Sequence, residues 1–310
     1  MTRAVAQDSL TSQAPQGCAR LRQMLAVQGY RIAASGALPA HWFGPPPPLL
    51  EPAPVAKQLE IVSHCWGYHH LLACQLRSLA EHPPQRLQVM LTVFYAEEDA
   101  ATAALLQRFA CQDIAANVRL RPWPLAPAQL FRRSIGRNLA ARATQADWIW
   151  FTDCDVLFGA AALDTLAEAV AGQRAALVFP AIEYATPVLD AQALRALEAG
   201  TALPQWDPAS CVHRHLTRAT GPLQITRGEV ARALGYCATL GAFQQPARRW
   251  CKAHEDRAFR WQLRTAGEAL DIPQVFRVRH ADKGRDAGRR RIGRTQLRRL
   301  RTRWQDWRRR

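Results

Sequence analysis

The chain has 310 residues, carries 41 Lys plus Arg against 25 Asp plus Glu, and is 48% hydrophobic. That apolar share supplies a full core and excludes global disorder, and no run nears the roughly 20 apolar residues that a membrane-spanning helix needs. Twelve Arg and two Asp fall between Gly284 and Arg310, so ten of the sixteen excess positive charges sit in that tail; a near-balanced body with a basic tail argues against a uniformly basic nucleic-acid-binding domain.

Residues 1–57 read as a peripheral extension. Gly44-Pro45-Pro46-Pro47-Pro48, with Pro52 and Pro54, forbids helix and favours an extended linker. Met1 to Gln16 has no apolar signal-peptide core, and the eight Cys form no CxxC pair. Both features suit reduced thiols in a cytoplasmic protein.

From Leu59 the pattern alternates between strand and helix. Leu59–Ser63 reads as a buried strand, and His70–Leu79 as a helix with Leu72, Leu76 and Leu79 at helical spacing. Leu87–Tyr95 is a strand, Asp99–Phe109 a helix, and Asn117–Arg121 a short strand. One helix spans Gln129–Thr144 and leads into the strand Trp148–Phe151. A helix over Ala160–Ala171 and a strand over Ala175–Pro180 follow. Such alternation implies a mostly parallel sheet covered by helices on both faces, with ligands beyond the carboxyl ends of its strands.

The strand at 148 runs into Thr152-Asp153-Cys154-Asp155. Two carboxylates two residues apart repel unless something neutralises them, and hard oxygen ligands suit Mg2+ or Mn2+. The plain alternative is a helix cap. Upstream, Arg132-Arg133-Ser134-Ile135-Gly136-Arg137-Asn138 offers Arg and Ser to a phosphate, or is simply a solvated basic face. Downstream, His254-Glu255-Asp256 opens a helix. It supplies a carboxylate base, or acids that merely suit the helix dipole.

In this order and spacing, the motifs resemble glycosyltransferase family 2 of the GT-A fold over residues 58–284. The resemblance implies an α/β, Rossmann-like GT-A sheet. It implies inverting transfer of a sugar from a nucleotide-diphosphate donor, a UDP-sugar, to a hydroxyl on a glycan or lipid-linked glycan, in cell-surface or capsular glycan synthesis. Asp153 and Asp155 would hold Mn2+ or Mg2+, with His280, at the end of the strand Val275–His280, as a further ligand. Ser63, Glu97, Asp99, Arg137 and Asp153 would contact the donor, with Trp66 or Tyr68 facing the base. Asp256 would be the catalytic base, with Glu255 beside it in catalysis or acceptor orientation. Gln224 and Arg227 would line the acceptor cleft. Gln245-Pro246-Ala247-Arg248-Arg249-Trp250 departs from the processive synthases' Gln-x-x-Arg-Trp and precedes the acidic pair, which suits a single-addition transferase.

Residues 182–222, with Trp206, Asp207, His213 and His215, would form the acceptor side. In the tail, 285–310, Leu297, Leu300, Trp304 and Trp307 line one helix face. That face would either lie on an anionic membrane, placing the protein at the inner membrane surface, or dock on the body. Two other readings stand: a haloacid-dehalogenase-like phosphatase with Asp153 as nucleophile, and a non-catalytic membrane-surface or nucleic-acid binder.

Overall fold

The computed structural model describes residues 50–110, 114–189, 191–198, 207–250 and 254–280, and six positions between 21 and 32. The basic tail lies outside the described residues, as does most of the N-terminal extension. The elements run β1 (Gln58–His64), α1 (His69–Glu81), β2 (Gln88–Tyr95), α2 (Ala100–Ala110), β3 (Val118–Pro124), α3 (Pro127–Leu130), α4 (Arg133–Ala143), β4 (Trp148–Phe151), β5 (Val156–Phe158), α5 (Ala162–Ala169), β6 (Leu177–Pro180), β7 (Ile182–Leu189), α6 (Ala191–Glu198), β8 (Val212–His215), β9 (Gln224–Arg227), α7 (Gly228–Leu234), α8 (Glu255–Gln262), β10 (Glu268–Leu270) and β11 (Val275–His280).

The main sheet has seven strands in the order β10-β6-β9-β4-β1-β2-β3. It is parallel except for β9, which runs against both β4 and β6. This is the expected α/β class, a mostly parallel sheet flanked by helices. Its central strands read as continuous apolar runs because both faces are covered. Ile61, Val62, Ile149, Trp150 and Phe151 have no exposed surface. Helix α1 buries Leu71, Leu72, Leu76 and Leu79 against the sheet. Each such leucine contributes on the order of 2 kcal/mol of apolar burial.

The expected helix over Gln129–Thr144 is two helices. The chain breaks at Phe131 and Arg132, where Arg132 takes φ −109°, ψ 86°. A second turn of helix therefore starts at Arg133, and Arg133 and Arg137 come to share one face. Gly136 lets this helix approach β1: a Cβ there would lie 2.4 Å from His64 Nε2.

A second sheet, in the order β5-β11-β7-β8, was not legible beyond β11. Strand β11 is antiparallel to β5 and parallel to β7. The register shifts between Arg277 and Arg279. On β7 Thr186 and Pro187 stand opposite the single residue Val278, one residue extra, a place where a proline without an N–H is tolerated. The Thr186 hydroxyl oxygen accepts from Arg279 N–H at 3.0 Å.

Candidate active site

The chain lays β1, β2 and β3 outward in one direction, then returns to place β4 on the other flank of β1. That reversal is a topological switch point, and open α/β sheets bind ligands in the crevice beyond it. The loops at that edge are His64–Tyr68 after β1 and Thr152–Asp155 after β4. Gln75 of α1 is wholly buried and fixes the second loop: its amide donates to the carbonyls of Asp153 (3.1 Å) and Val156 (2.8 Å). Its own carbonyl accepts from Ser63 Oγ at 2.6 Å.

The two aspartates meet arginines. Arg133 donates to Asp153 Oδ1 at 2.6 Å, and Arg137 approaches the same oxygen at 3.4 Å. Arg277 on β11 lies 3.9 Å from Asp153 Oδ2, 3.4 Å from Asp155 Oδ2 and 3.5 Å from Glu183 Oε2. Glu183 on β7 also accepts from Arg214 at 3.0 Å. Pairing of β11 with β5 sets Arg277 opposite Val156, beside Asp155, while Val275 and Val278 go to the core. Burial disfavours the Asp153 carboxylate, but Arg133, Arg137 and Arg277 outweigh it and hold the group well below the usual carboxylate range. Burial likewise opposes the charge of Arg133, yet Asp153 and then Glu255 push its pKa up. Asp155 Oδ1 is buried and has no hydrogen-bond partner. His64, at the end of β1, is kept neutral: burial, then Arg137 and Arg133, drive its pKa well below the ordinary value against the opposing pull of Asp153.

A buried relay joins this cluster to the start of α8. Arg137 donates to Tyr236 Oη (2.9 Å), Tyr236 donates to Gln224 Oε1 (2.8 Å), and Gln224 donates to the Asp256 carbonyl (3.0 Å). Tyr236 is stacked on Phe259 with ring centroids 4.3 Å apart. Sequence reasoning missed Tyr236 and Glu183; neither carries a local motif. Asp256, 27% exposed at its side chain, has Arg260 at 3.7 Å one helical turn on. Glu255 is buried. His254 precedes them in the left-handed region at φ 61°, a conformation uncommon outside glycine.

Several expected donor and acceptor contacts fall elsewhere. Ser63 is wholly buried and turned onto Gln75. Asp99 ties two loops together by accepting from Gly67 N–H (2.6 Å) and Thr102 Oγ (2.7 Å), as a cap does. Glu97 is exposed. Arg137 is buried and reaches Asp153 from behind. Gln224 is buried within the relay. Arg227 pairs in register with Trp148, at the opening of β4, because β9 runs antiparallel. It bonds the Glu51 carbonyl at 2.6 Å, at the edge of the sheet away from Asp153. Trp66 packs edge-on against Phe131, and Tyr68 is buried.

The expected metal ligands do not converge. His280 packs edge-on against Tyr68 with centroids 5.3 Å apart. Among the described residues no group of three or more His, Cys, Asp and Glu is gathered to hold a metal ion. The carboxylates of Asp153, Asp155 and Glu183 are instead met by Arg133, Arg137, Arg214 and Arg277. A divalent cation binds a surplus of negative oxygen, and here three carboxylates already face four guanidiniums, with Asp155 Oδ1 the one oxygen of the acidic pair that is buried without a partner. The residues present do not fit Mn2+ or Mg2+.

Among the described residues no helix is long and apolar enough to cross a membrane. No protein-family model matches the chain, and no curated protein matches it. Solved structures do. One is the mannosyltransferase PcManGT from Pyrobaculum calidifontis in complex with GDP-Man and Mn2+, 18% identical over 83% of this chain and 68% of that one, with a TM-score of 0.42. Another is S. aureus TarS 1-349, 13% identical over 72% of this chain, with a TM-score of 0.43. The chain spans 60% of that second protein's length.

Proposed function

We propose that the protein is a glycosyltransferase that moves a sugar from a nucleotide-diphosphate donor to a hydroxyl of a glycan or lipid-linked acceptor. One observation carries the reading. At the switch point between β1 and β4 lies a charged cluster, Asp153, Asp155, Arg133 and Arg277, and the relay from Arg137 through Tyr236 and Gln224 ties that cluster to the main-chain carbonyl of Asp256, whose carboxylate is partly exposed.

The chemistry follows from those positions. An acceptor hydroxyl is a poor nucleophile until its proton has somewhere to go. Asp256, with Arg260 at 3.7 Å, takes that proton as the oxygen attacks the anomeric carbon. The bond to the diphosphate breaks on the opposite face, which inverts the anomeric centre. Glu255 is buried, so its part is electrostatic, through Arg133, and not contact with the acceptor. Asp153 as the nucleophile of a phosphatase is disfavoured, because Arg133 already occupies its Oδ1 at 2.6 Å.

Donor screening with product analysis tests this reading. Asp256→Asn is expected to lower transfer by about a hundredfold or more, the usual scale for a lost general base, while nucleotide binding stays within about twofold. Transfer at the wild-type rate in that variant removes Asp256 as the base.

A further inference from the structure

We infer that the diphosphate of the donor is held by an arginine clamp, Arg133 and Arg277, in place of a divalent cation, with the unpaired Asp155 Oδ1 accepting a hydroxyl of the donor's sugar or ribose. This rests on the donor reading above and names how that same site carries charge.

Three observations support it. First, the acids that a cation would need are already neutralised, since three carboxylates face four guanidiniums in direct contact. Adding a double positive charge there costs repulsion from every arginine; adding a dianion relieves it. Second, of the arginines that meet Asp153 and Asp155, Arg133 and Arg277 are the accessible ones, with side chains 21% and 24% exposed, whereas Arg137 is 2% exposed and braces Asp153 from within the core; Arg214, 31% exposed, is paired with Glu183. A guanidinium has five donors in a planar fork that matches phosphate oxygens. Arg133 directs a single short bond to Asp153, and the Arg277 contacts are all 3.4 Å or longer, so both keep donors for a ligand. Third, a buried acceptor without a partner is rare and calls for a ligand donor, and Asp155 Oδ1 is one. A hydroxyl satisfies it without adding charge.

The two clamp residues come from separate elements, a helix and a strand. Arg133 starts α4, which packs against β1 of the main sheet, and Arg277 is on β11 of the second sheet. A diphosphate between them would therefore bridge the two layers.

The test is calorimetric titration of the full chain with UDP and with GDP, once in EDTA and once in Mn2+. Wild-type affinity is expected to agree within about twofold between the two buffers. Arg277→Met is expected to weaken binding in EDTA by about ten- to a hundredfold, the scale of one lost charged hydrogen-bonding group. In that variant Mn2+ should restore part of the affinity, because Asp153 and Asp155 lose the cation between them. Arg277→Lys, which keeps charge but not the fork, should fall between the two, and thermal melting of both variants reports folding. Nucleotide binding by the wild type that requires Mn2+, or an Arg277→Met variant that binds normally in EDTA, overturns the clamp and leaves the transferase reading in place. If neither nucleotide binds in either buffer, the donor reading falls and the clamp falls with it.

Discussion

Two acid–arginine clusters sit on the same protein and differ in one respect. Glu60, in the middle of β1, is 2% exposed, accepts from Thr92 Oγ at 2.7 Å and is paired with Arg121, which also donates to Thr92 at 3.0 Å. Every group there has a partner within three adjacent strands, so the cluster closes on itself and locks the register of β1, β2 and β3. The cluster beyond β4 is assembled from two sheets and a helix, its Arg277 contacts are long, and it leaves Asp155 Oδ1 without a partner. The comparison teaches that counting charges does not find a site. An incomplete hydrogen-bond inventory, next to a crevice, does.

The largest effect that would sharpen this contrast is on the closed cluster. Arg121→Met leaves the Glu60 charge buried without its cation, and should cost about 3 kcal/mol in urea unfolding while leaving nucleotide affinity unchanged. A loss of binding there would blur the distinction. Next comes the relay: Tyr236→Phe removes one hydrogen bond accepted and one donated. It should lower stability by about 2 kcal/mol and reduce kcat more than donor affinity, read from steady-state kinetics beside titration. Arg277→Met in the open cluster should cost about 2 kcal/mol in the same unfolding experiment, because Glu183 keeps Arg214 and Asp153 keeps Arg133 while the buried Asp155 loses its cation. An unfolding penalty equal to that of Arg121→Met would mean the two clusters are alike.

The smallest effect is in pH. His64 is held neutral in the folded protein, so the unfolded chain binds a proton that the folded one refuses. The stability it contributes is complete above about pH 6.5 and declines as pH falls from there toward its lowered folded value. Between pH 7.5 and 6.0 this amounts to about 0.8 kcal/mol. His64→Asn should flatten that part of the stability curve, measured by chemical unfolding at each pH. An unchanged slope would show that His64 charges freely in the fold.

Much of the main sheet was legible in the sequence because its central strands are uniformly apolar and its helices have regular Leu spacing. The acidic pair and the helix opening at Glu255 were legible as motifs for the same reason: they are local. What was missed is non-local. Val275-Phe276-Arg277-Val278-Arg279 alternates as a strand should, yet nothing in it says that β5 and β7 are its neighbours. His280 at the end of the strand packs on Tyr68, while Arg277 within it meets the acids. Arg227 was misplaced because a segment does not announce its direction, and β9 runs opposite to its neighbours. The break at Arg132 has no proline or glycine to mark it. It is enforced by packing, since the Ser134 hydroxyl reaches the Phe243 carbonyl and Gly136 presses on His64.

Gln75 has a practical consequence. Its amide grips the loop after β4 by main-chain carbonyls at Asp153 and Val156, and not by any side chain of the acidic motif. The shape of the loop is thus uncoupled from the identity of the residues it displays. Isosteric exchange at positions 153 and 155 alters the charge presented to a ligand while the frame that presents it stays where Gln75 puts it. For an experimenter this makes the motif an exchangeable cartridge in a fixed holder, and for evolution a place where chemistry can change without refolding the edge of the sheet.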